Sequence, residues 1–157
     1  MFKIGKIISG GQTGADRAAF DFALENGIEI GGFVPKDRQA EDGRIPERYS
    51  NLQEAETEDP RTRTALNVKN SDATLILSNG GLKGGSKLTA DFAEKYQKPF
   101  LHIDLTIVKI NEALAKTRTW LDSIECRTLN IAGARASEDA EIYTRTKEFL
   151  TELFETK

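Results

Sequence analysis

The chain has 157 residues, 38% hydrophobic and 30% charged, with a formal net charge of −3, a balance that excludes a disordered chain and a broad polyanion-coating surface. No apolar run approaches the roughly 18 residues a membrane span requires, so a cytoplasmic protein with no membrane and no nucleic-acid partner is expected. One cysteine, Cys126, and one histidine, His102, leave no internal disulfide and no soft ligand set for structural zinc; any metal must be held by oxygens or arrive inside a cofactor.

Five short apolar runs rich in β-branched residues alternate with segments of helical period, the pattern of a parallel sheet covered on both faces. The expected fold is α/β: one doubly wound domain over residues 1–157, with about five mostly parallel strands. The first run, Lys3–Ser9, leads through Gly10-Gly11-Gln12-Thr13-Gly14 into a helix over Ala15–Asn26, and Gly27 is placed for a left-handed C-terminal cap. A second strand, Ile28–Phe33, opens into a stretch, Lys36–Tyr49, that reads as too charged to bury. Leu52–Val68 predicts helical turns broken at Pro60, because proline lacks the amide proton and disfavours helix in the residue before it.

The third strand, Ala73–Leu77, runs into Asn79-Gly80-Gly81-Leu82-Lys83-Gly84-Gly85 and then a helix over Ser86–Tyr96. Strand four is Pro99–Asp104, followed by a helix over about Ile107–Ser123, strand five at Thr128–Ala132, and a last helix beginning at Ser137, whose side chain can cap free amides. Right-handed crossovers allow the order 2-1-3-4-5, with strands one and three as neighbours whose helices lie on opposite faces.

Two glycine turns therefore follow a strand and open a helix. A helix start leaves several amides unpaired, the dipole adds partial positive charge, and glycine lets the backbone approach an anion closely. Hydroxyls of Thr13, Ser86 and Thr89 add donors. Either turn alone serves equally well as an ordinary connection. Neither fits a better-known phosphate motif: Ser9 stands where the dinucleotide fingerprint has its first glycine, and Ser86-Lys87 reverses the Lys-then-Ser/Thr order of the P-loop. At the carboxyl ends of neighbouring strands, the two together would present a ligand with two helix N-termini.

Gly10-Gly11-Gln12-Thr13-Gly14-Ala15-Asp16-Arg17, then Pro35-Lys36 with Arg38, Ala40-Glu41-Asp42-Gly43, Ile45-Pro46, Arg63-Thr64, Asn67-Val68 and Ser71-Asp72-Ala73-Thr74 resemble the putative molybdenum carrier family. The match continues through Gly84-Gly85-Ser86 and Thr89 to Pro99, about two-thirds of the chain. That family lies in the SLOG superfamily of Rossmann-like proteins, which bind or process nucleotide-like ligands at paired glycine motifs. The resemblance implies a homo-oligomer, a tetramer, and a non-catalytic carrier of the molybdenum cofactor, molybdopterin, whose pterin bears a phosphate and a dithiolene that grips the metal. No metal ligand from the protein is then needed.

On this reading Gly10, Gly11, Gln12, Thr13 and Gly14 hold phosphate together with Gly84, Gly85, Ser86 and Thr89, while Lys36, Arg38, Arg63 and Asn67 complete the pocket. No catalytic residue is assigned. The rival is a phosphoribohydrolase that releases a base from a nucleoside 5'-monophosphate; the glutamate of that SLOG branch is matched here by Thr89, which leaves Glu41 or Asp42 as its replacement. A third reading is a nucleotide-sensing module.

Several residues carry blander alternatives. Lys36, Arg38, Glu41 and Asp42 form either a lid or a solvated loop whose surface ion pairs are worth about 0–1 kcal/mol each. Arg63 and Asn67, four apart, share a helical face, but Arg63 is equally placed to pair with Asp72 or Glu41. Asp16 is expected to stabilise a helix dipole, and His102, Cys126 and Trp120 are expected to pack.

Overall fold

The apolar runs form strands and pair in parallel because they are buried on both faces, as Ala73–Ser78 is along its whole length. The structure, a computed structural model, describes residues 1–155. Its strands are β1 (Lys6–Ile8), β2 (Glu29–Val34), β3 (Gln39–Ala40), β4 (Gly43–Arg44), β5 (Leu52–Glu54), β6 (Ala73–Ser78), β7 (Phe100–Asp104) and β8 (Thr128–Gly133). The helices are α1 (Ala15–Glu25), α2 (Pro60–Lys69), α3 (Gly84–Lys95), α4 (Ile110–Ile124) and α5 (Ile142–Phe154). Six strands make one parallel sheet in the order β5-β2-β1-β8-β6-β7, and β3 and β4 form a separate antiparallel hairpin.

This is the doubly wound α/β architecture expected, with one strand more than the five counted and a different order. The last strand, β8, is inserted between β1 and β6, with Ile7 paired to Leu129 and Leu75 to Ile131. Strands one and three of the sequence are therefore not neighbours. α1, α4 and α5 pack together on one face, and α2 and α3 on the other, so the chain leaves β1 and β8 toward one side and β6 toward the opposite side. The switch point lies between β8 and β6.

Packing explains the close helix layer. α1 presents Ala15, Ala18, Ala19 and Ala23, all fully buried, alongside Phe20 and Phe22, and small residues let it approach both the sheet and α5. Phe22 and Phe154 meet with ring centroids 4.9 Å apart. Ile7, Leu75, Leu77, Leu129 and Ile131 fill the sheet interior, with Phe149 and Leu150 from α5. Cys126 is buried and Trp120 half-buried against the same core, as expected. Among the described residues, no helix is long and apolar enough to cross a membrane.

Three local expectations change, and a fourth holds only in part. Pro60 begins α2 instead of breaking a helix: a proline at the first helical position gives up an amide that has no partner there, and Asp59 caps the start by accepting from the Arg61 amide at 3.0 Å. β5, too short to show periodicity, adds an edge strand beside β2. α5 starts at Ile142, because the Ser137 hydroxyl is directed to Glu41 Oε2 at 2.5 Å and not to a helix amide. The charged stretch 36–49 is mostly exposed, as its charge implies, but Arg38, Ile45 and Tyr49 within it are buried. Arg38 is 7% exposed, with Nε on the Ile45 carbonyl (3.2 Å) and Nη2 on those of Pro46 (2.8 Å) and Tyr49 (3.0 Å). Tyr49 in turn donates to Asp21 Oδ1 at 2.7 Å, a carboxylate that also receives Arg48 and Tyr143.

Candidate functional site

The carboxyl ends of β1, β8 and β6 converge where the chain turns to opposite faces, which is where open parallel sheets place their ligands. A cavity of about 60 Å³ lies there. Its walls come from the first glycine turn (Gly10, Gln12, Asp16), from α2 (Arg63, Thr64, Asn67), from the start of α3 (Gly85, Ser86, Thr89), from β8 (Asn130 to Gly133) and from the following loop (Arg135, Glu138). A wider cavity of about 220 Å³ shares Ser86 and Glu138 with it and adds Ser78, Asn79, Gly81 and Lys83.

The two glycine turns contribute differently. In the first, three backbone amides are engaged within the protein: Gln12 donates to Asp16 Oδ2 (3.1 Å), Thr13 to Gln12 Oε1 (3.1 Å) and Ala15 to the Ala134 carbonyl (3.1 Å). Its glycines are required by packing. A Cβ on Gly10 would stand 2.5 Å from Arg63 Nη1, and Gly14, at φ 82°, would place one 2.5 Å from the Ala134 carbonyl oxygen. In the second turn a Cβ on Gly85 would meet nothing within 4 Å. No side chain caps α3, and among the described residues no acceptor engages the Gly84 and Gly85 amides. The open cradle is the α3 N-terminus; the first turn supports a cation instead.

That cation is Arg63. It is 9% exposed, with Nη1 on the Gly10 carbonyl at 2.6 Å and Nε on Thr64 Oγ1 at 3.1 Å. Nη2 has no partner among the described residues. Burial lowers the guanidinium's pKa and the nearby Asp16 carboxylate raises it, but arginine stays charged in either case. Asp16 is 7% exposed, and burial pushes its carboxyl above the ordinary value of 3.8 while Arg63, the Gln12 amide and the Ser9 hydroxyl oppose the rise. Ser86 is 6% exposed and its Oγ has no partner among the described residues. Thr89 Oγ1 is turned back onto the Gly85 carbonyl at 2.8 Å.

Of the sequence candidates, Gly10, Gln12, Arg63, Asn67, Gly85, Ser86 and Thr89 are brought to one cavity. Gly11, Thr13, Gly14 and Gly84 lie beside it and are not in its wall. Asn67 is directed elsewhere, closing β2 with Oδ1 on the Phe33 amide (2.7 Å) and Nδ2 on its carbonyl (2.9 Å). Lys36 is exposed and Arg38 is committed to its own loop. Arg63 pairs with neither Asp72 nor Glu41: Asp72 receives the Arg127 and Thr128 amides, and Glu41 receives Thr13 and Ser137. Asp42 holds Arg17 in a two-pronged ion pair. The loop bearing Glu41 and Asp42 is thus fastened over the first turn, with neither carboxylate in the cavity.

Eight lining residues are not among the sequence candidates; besides Thr64 and the β8 positions Ile131, Ala132 and Gly133, four of them bear charged or amide side chains. Asp16 was assigned to the dipole, yet it stands in the first turn of a glycine-opened helix, which marks it. Asn130 is a polar residue inside an apolar strand, 3% exposed, with Nδ2 on Thr74 Oγ1 at 3.2 Å; that interruption was a usable signal. Arg135 and Glu138, joined at 3.0 Å, follow a strand whose central place in the sheet periodicity does not reveal. His102 is half-buried, with Nε2 2.6 Å from Ser78 Oγ. Among the described residues, no group of three or more His, Cys, Asp or Glu side chains is arranged to hold a metal.

The model of the "Circularly permutated YpsA SLOG family" matches residues 7–154. A solved structure similar to this chain is the 1.45 Å crystal structure of a "Putative molybdenum carrier protein" from Syntrophus aciditrophicus SB: 55% identical, covering 97% of this chain and 96% of that one, with a TM-score of 0.95. No match is found among curated proteins. With the family match running from β1 to α5, through both glycine turns and the cavity between them, the chain belongs to the circularly permutated YpsA SLOG family.

Proposed function

We propose that this chain is a non-catalytic carrier that holds the molybdenum cofactor, or a closely related phosphorylated, nucleotide-like molecule, by its phosphate. The observation that carries this reading is the meeting of three unengaged groups in one cavity: the uncapped α3 N-terminus, Arg63 Nη2 and Ser86 Oγ. Helix amides and an arginine fork both suit a phosphate oxygen. The name of the 55% identical relative supports a molybdenum-related ligand.

Size divides the work. Cavities that enclose whole small molecules run to roughly 300–1,000 Å³, so the deep cavity of about 60 Å³ suits a phosphate-sized group alone. The remainder of the ligand would lie toward the wider cavity past Ser86 and Glu138. The donor set fits the phosphate of molybdopterin and asks nothing of the metal, which the cofactor's own dithiolene grips. When bound, the cofactor would supply molybdenum redox chemistry; this chain's residues anchor and shield it. The expected homo-oligomer, a tetramer, is part of the same proposal.

Titration of the purified protein with molybdopterin tests the reading. Saturable binding that weakens in Arg63→Ala and Ser86→Ala, with the cofactor recovered unchanged, is the expected result. Absence of saturable binding rejects the carrier, and release of free base from a nucleoside 5'-monophosphate would move the protein to the hydrolase branch. Light scattering in solution checks the tetramer.

A further inference from the structure

The cavity that would seat a phosphate is not lined by donors alone. Arg63 Nη2 offers hydrogens and Ser86 Oγ can give or accept, but the Asp16 carboxylate and Asn130 Oδ1 are acceptors facing the same space. Among the described residues Asp16 receives the Gln12 amide, on Oδ2 at 3.1 Å; the Ser9 hydroxyl lies close enough to act on the carboxylate but gives its proton to the Ile131 carbonyl at 2.6 Å. Asn130 uses its Nδ2 on Thr74. Acceptors nine-tenths buried in an anion seat are costly unless the guest brings them a hydrogen, because lone pairs would otherwise face lone pairs in a site from which water is largely displaced.

We propose that Asp16 sets the specificity of this cavity by requiring a tetrahedral oxyanion that carries a proton, so that hydrogenphosphate or a monoprotonated phosphate ester is accepted and sulfate is rejected. The proposal rests on the anion-binding reading and adds the identity of the group that discriminates. One proton lies between the carboxylate and the guest oxygen: hydrogenphosphate brings it, whereas sulfate, fully deprotonated near neutral pH, must draw it from water. Burial raises the Asp16 carboxyl, which lowers the cost of protonating it and so narrows the margin against sulfate without removing it. The charged groups around Asp16 are Arg63 from α2, Arg17 from its own helix, itself paired with Asp42, and Arg135 with Glu138 from the loop after β8. Asp42 and Glu138 offset Arg17 and Arg135, so Arg63 and the α3 amides draw the anion, and Asp16 decides which one. Specificity arises from a repulsive element as much as from the attractive ones.

Calorimetric titration of the full chain with sodium phosphate and with sodium sulfate, at pH 7.5 and constant ionic strength, provides the test. The two anions share shape and charge and differ by one proton. Phosphate should bind about ten- to a hundredfold more tightly, and Asp16→Asn, whose carboxamide offers hydrogens where the carboxylate offered none, should bring the ratio near one, mainly by improving sulfate. Asp16→Ser provides a second variant that removes the carboxylate, should the first unfold. Equal affinities in the unaltered protein overturn the proposal while leaving anion binding intact. A preference that survives in a folded Asp16→Asn or Asp16→Ser protein overturns the assignment to Asp16. If neither anion binds, the seat itself falls, and both readings with it.

Discussion

Substituting Gly10 by alanine tests whether the first glycine turn exists to support Arg63. The backbone at Gly10 is not in the left-handed region, so a methyl group meets no torsional objection. It would, however, stand 2.5 Å from Arg63 Nη1, 2.8 Å from Cζ and 2.9 Å from Cδ, and the guanidinium must leave the Gly10 carbonyl. Loss of that charge-assisted hydrogen bond costs about 1.5–3 kcal/mol. Reduced freedom of the unfolded chain returns about 0.4–1 kcal/mol, leaving a net destabilisation of about 0.5–2.6 kcal/mol. At about 2–4 °C per kcal/mol for a chain of this size, the midpoint of thermal unfolding should fall by about 1–10 °C. The sharper test is the same substitution placed on Arg63→Ala. With the side chain gone there is nothing to displace, and Gly10→Ala should become stabilising by about 0.4–1 kcal/mol. Denaturant unfolding of the four proteins measures this coupling. Equal destabilisation by Gly10→Ala in both backgrounds would refute the reasoning.

Three further outcomes follow from the contacts. Ser86→Ala should leave the unfolding midpoint unchanged, since Oγ has no partner among the described residues, while weakening a phosphorylated ligand by about 1 kcal/mol, or roughly fivefold; calorimetry alongside thermal unfolding separates the two effects. Asp21→Asn should destabilise by on the order of 2 kcal/mol at pH 7, because Arg48, Tyr49 and Tyr143 all converge on that carboxylate. Burial raises the Asp21 carboxyl, but hydrogen bonds from Tyr143, Tyr49 and Arg48 outweigh it and hold the pKa below 3.8; the stability it confers is present above the unfolded value and is lost as pH falls through the folded one. The gap between native and variant in urea unfolding should therefore begin to narrow below about pH 3.8 and close only below the depressed folded pKa. Tyr143→Phe removes one of the three donors and should cost less than Asp21→Asn in the same assay.

Element type was legible wherever one period ran long enough to show itself. The run at 73–78 is buried along its whole length and that at 128–133 is buried at Leu129, Asn130 and Ile131; both read as mostly apolar stretches, and the alanine face of α1 repeats at helical spacing. Strand order was not legible, because no local pattern in Thr128–Gly133 states that this last strand enters the middle of the sheet. The misplacement propagated: with β8 at an edge, Asn130, Arg135 and Glu138 had no reason to be near the glycine turns. The start of α5 was misread for a related reason, since Ser137 finds its acceptor in Glu41, 96 positions away. Glycine spacing located both turns but could not distinguish a turn that packs from one that stays open. That difference lies in what surrounds each missing Cβ: Arg63 over Gly10, and empty space beside Gly85.

The central claim, that an oxyanion is seated between Arg63 and the start of α3, is tested most directly by following backbone amide and arginine side-chain resonances during titration with sodium phosphate. The account predicts saturable shifts led by the Gly84 and Gly85 amides and by the Arg63 guanidinium, with small changes at Thr13 and Ala15, whose amides are already engaged. Saturable shifts confined to another surface, with Gly84, Gly85 and Arg63 unmoved, would contradict it.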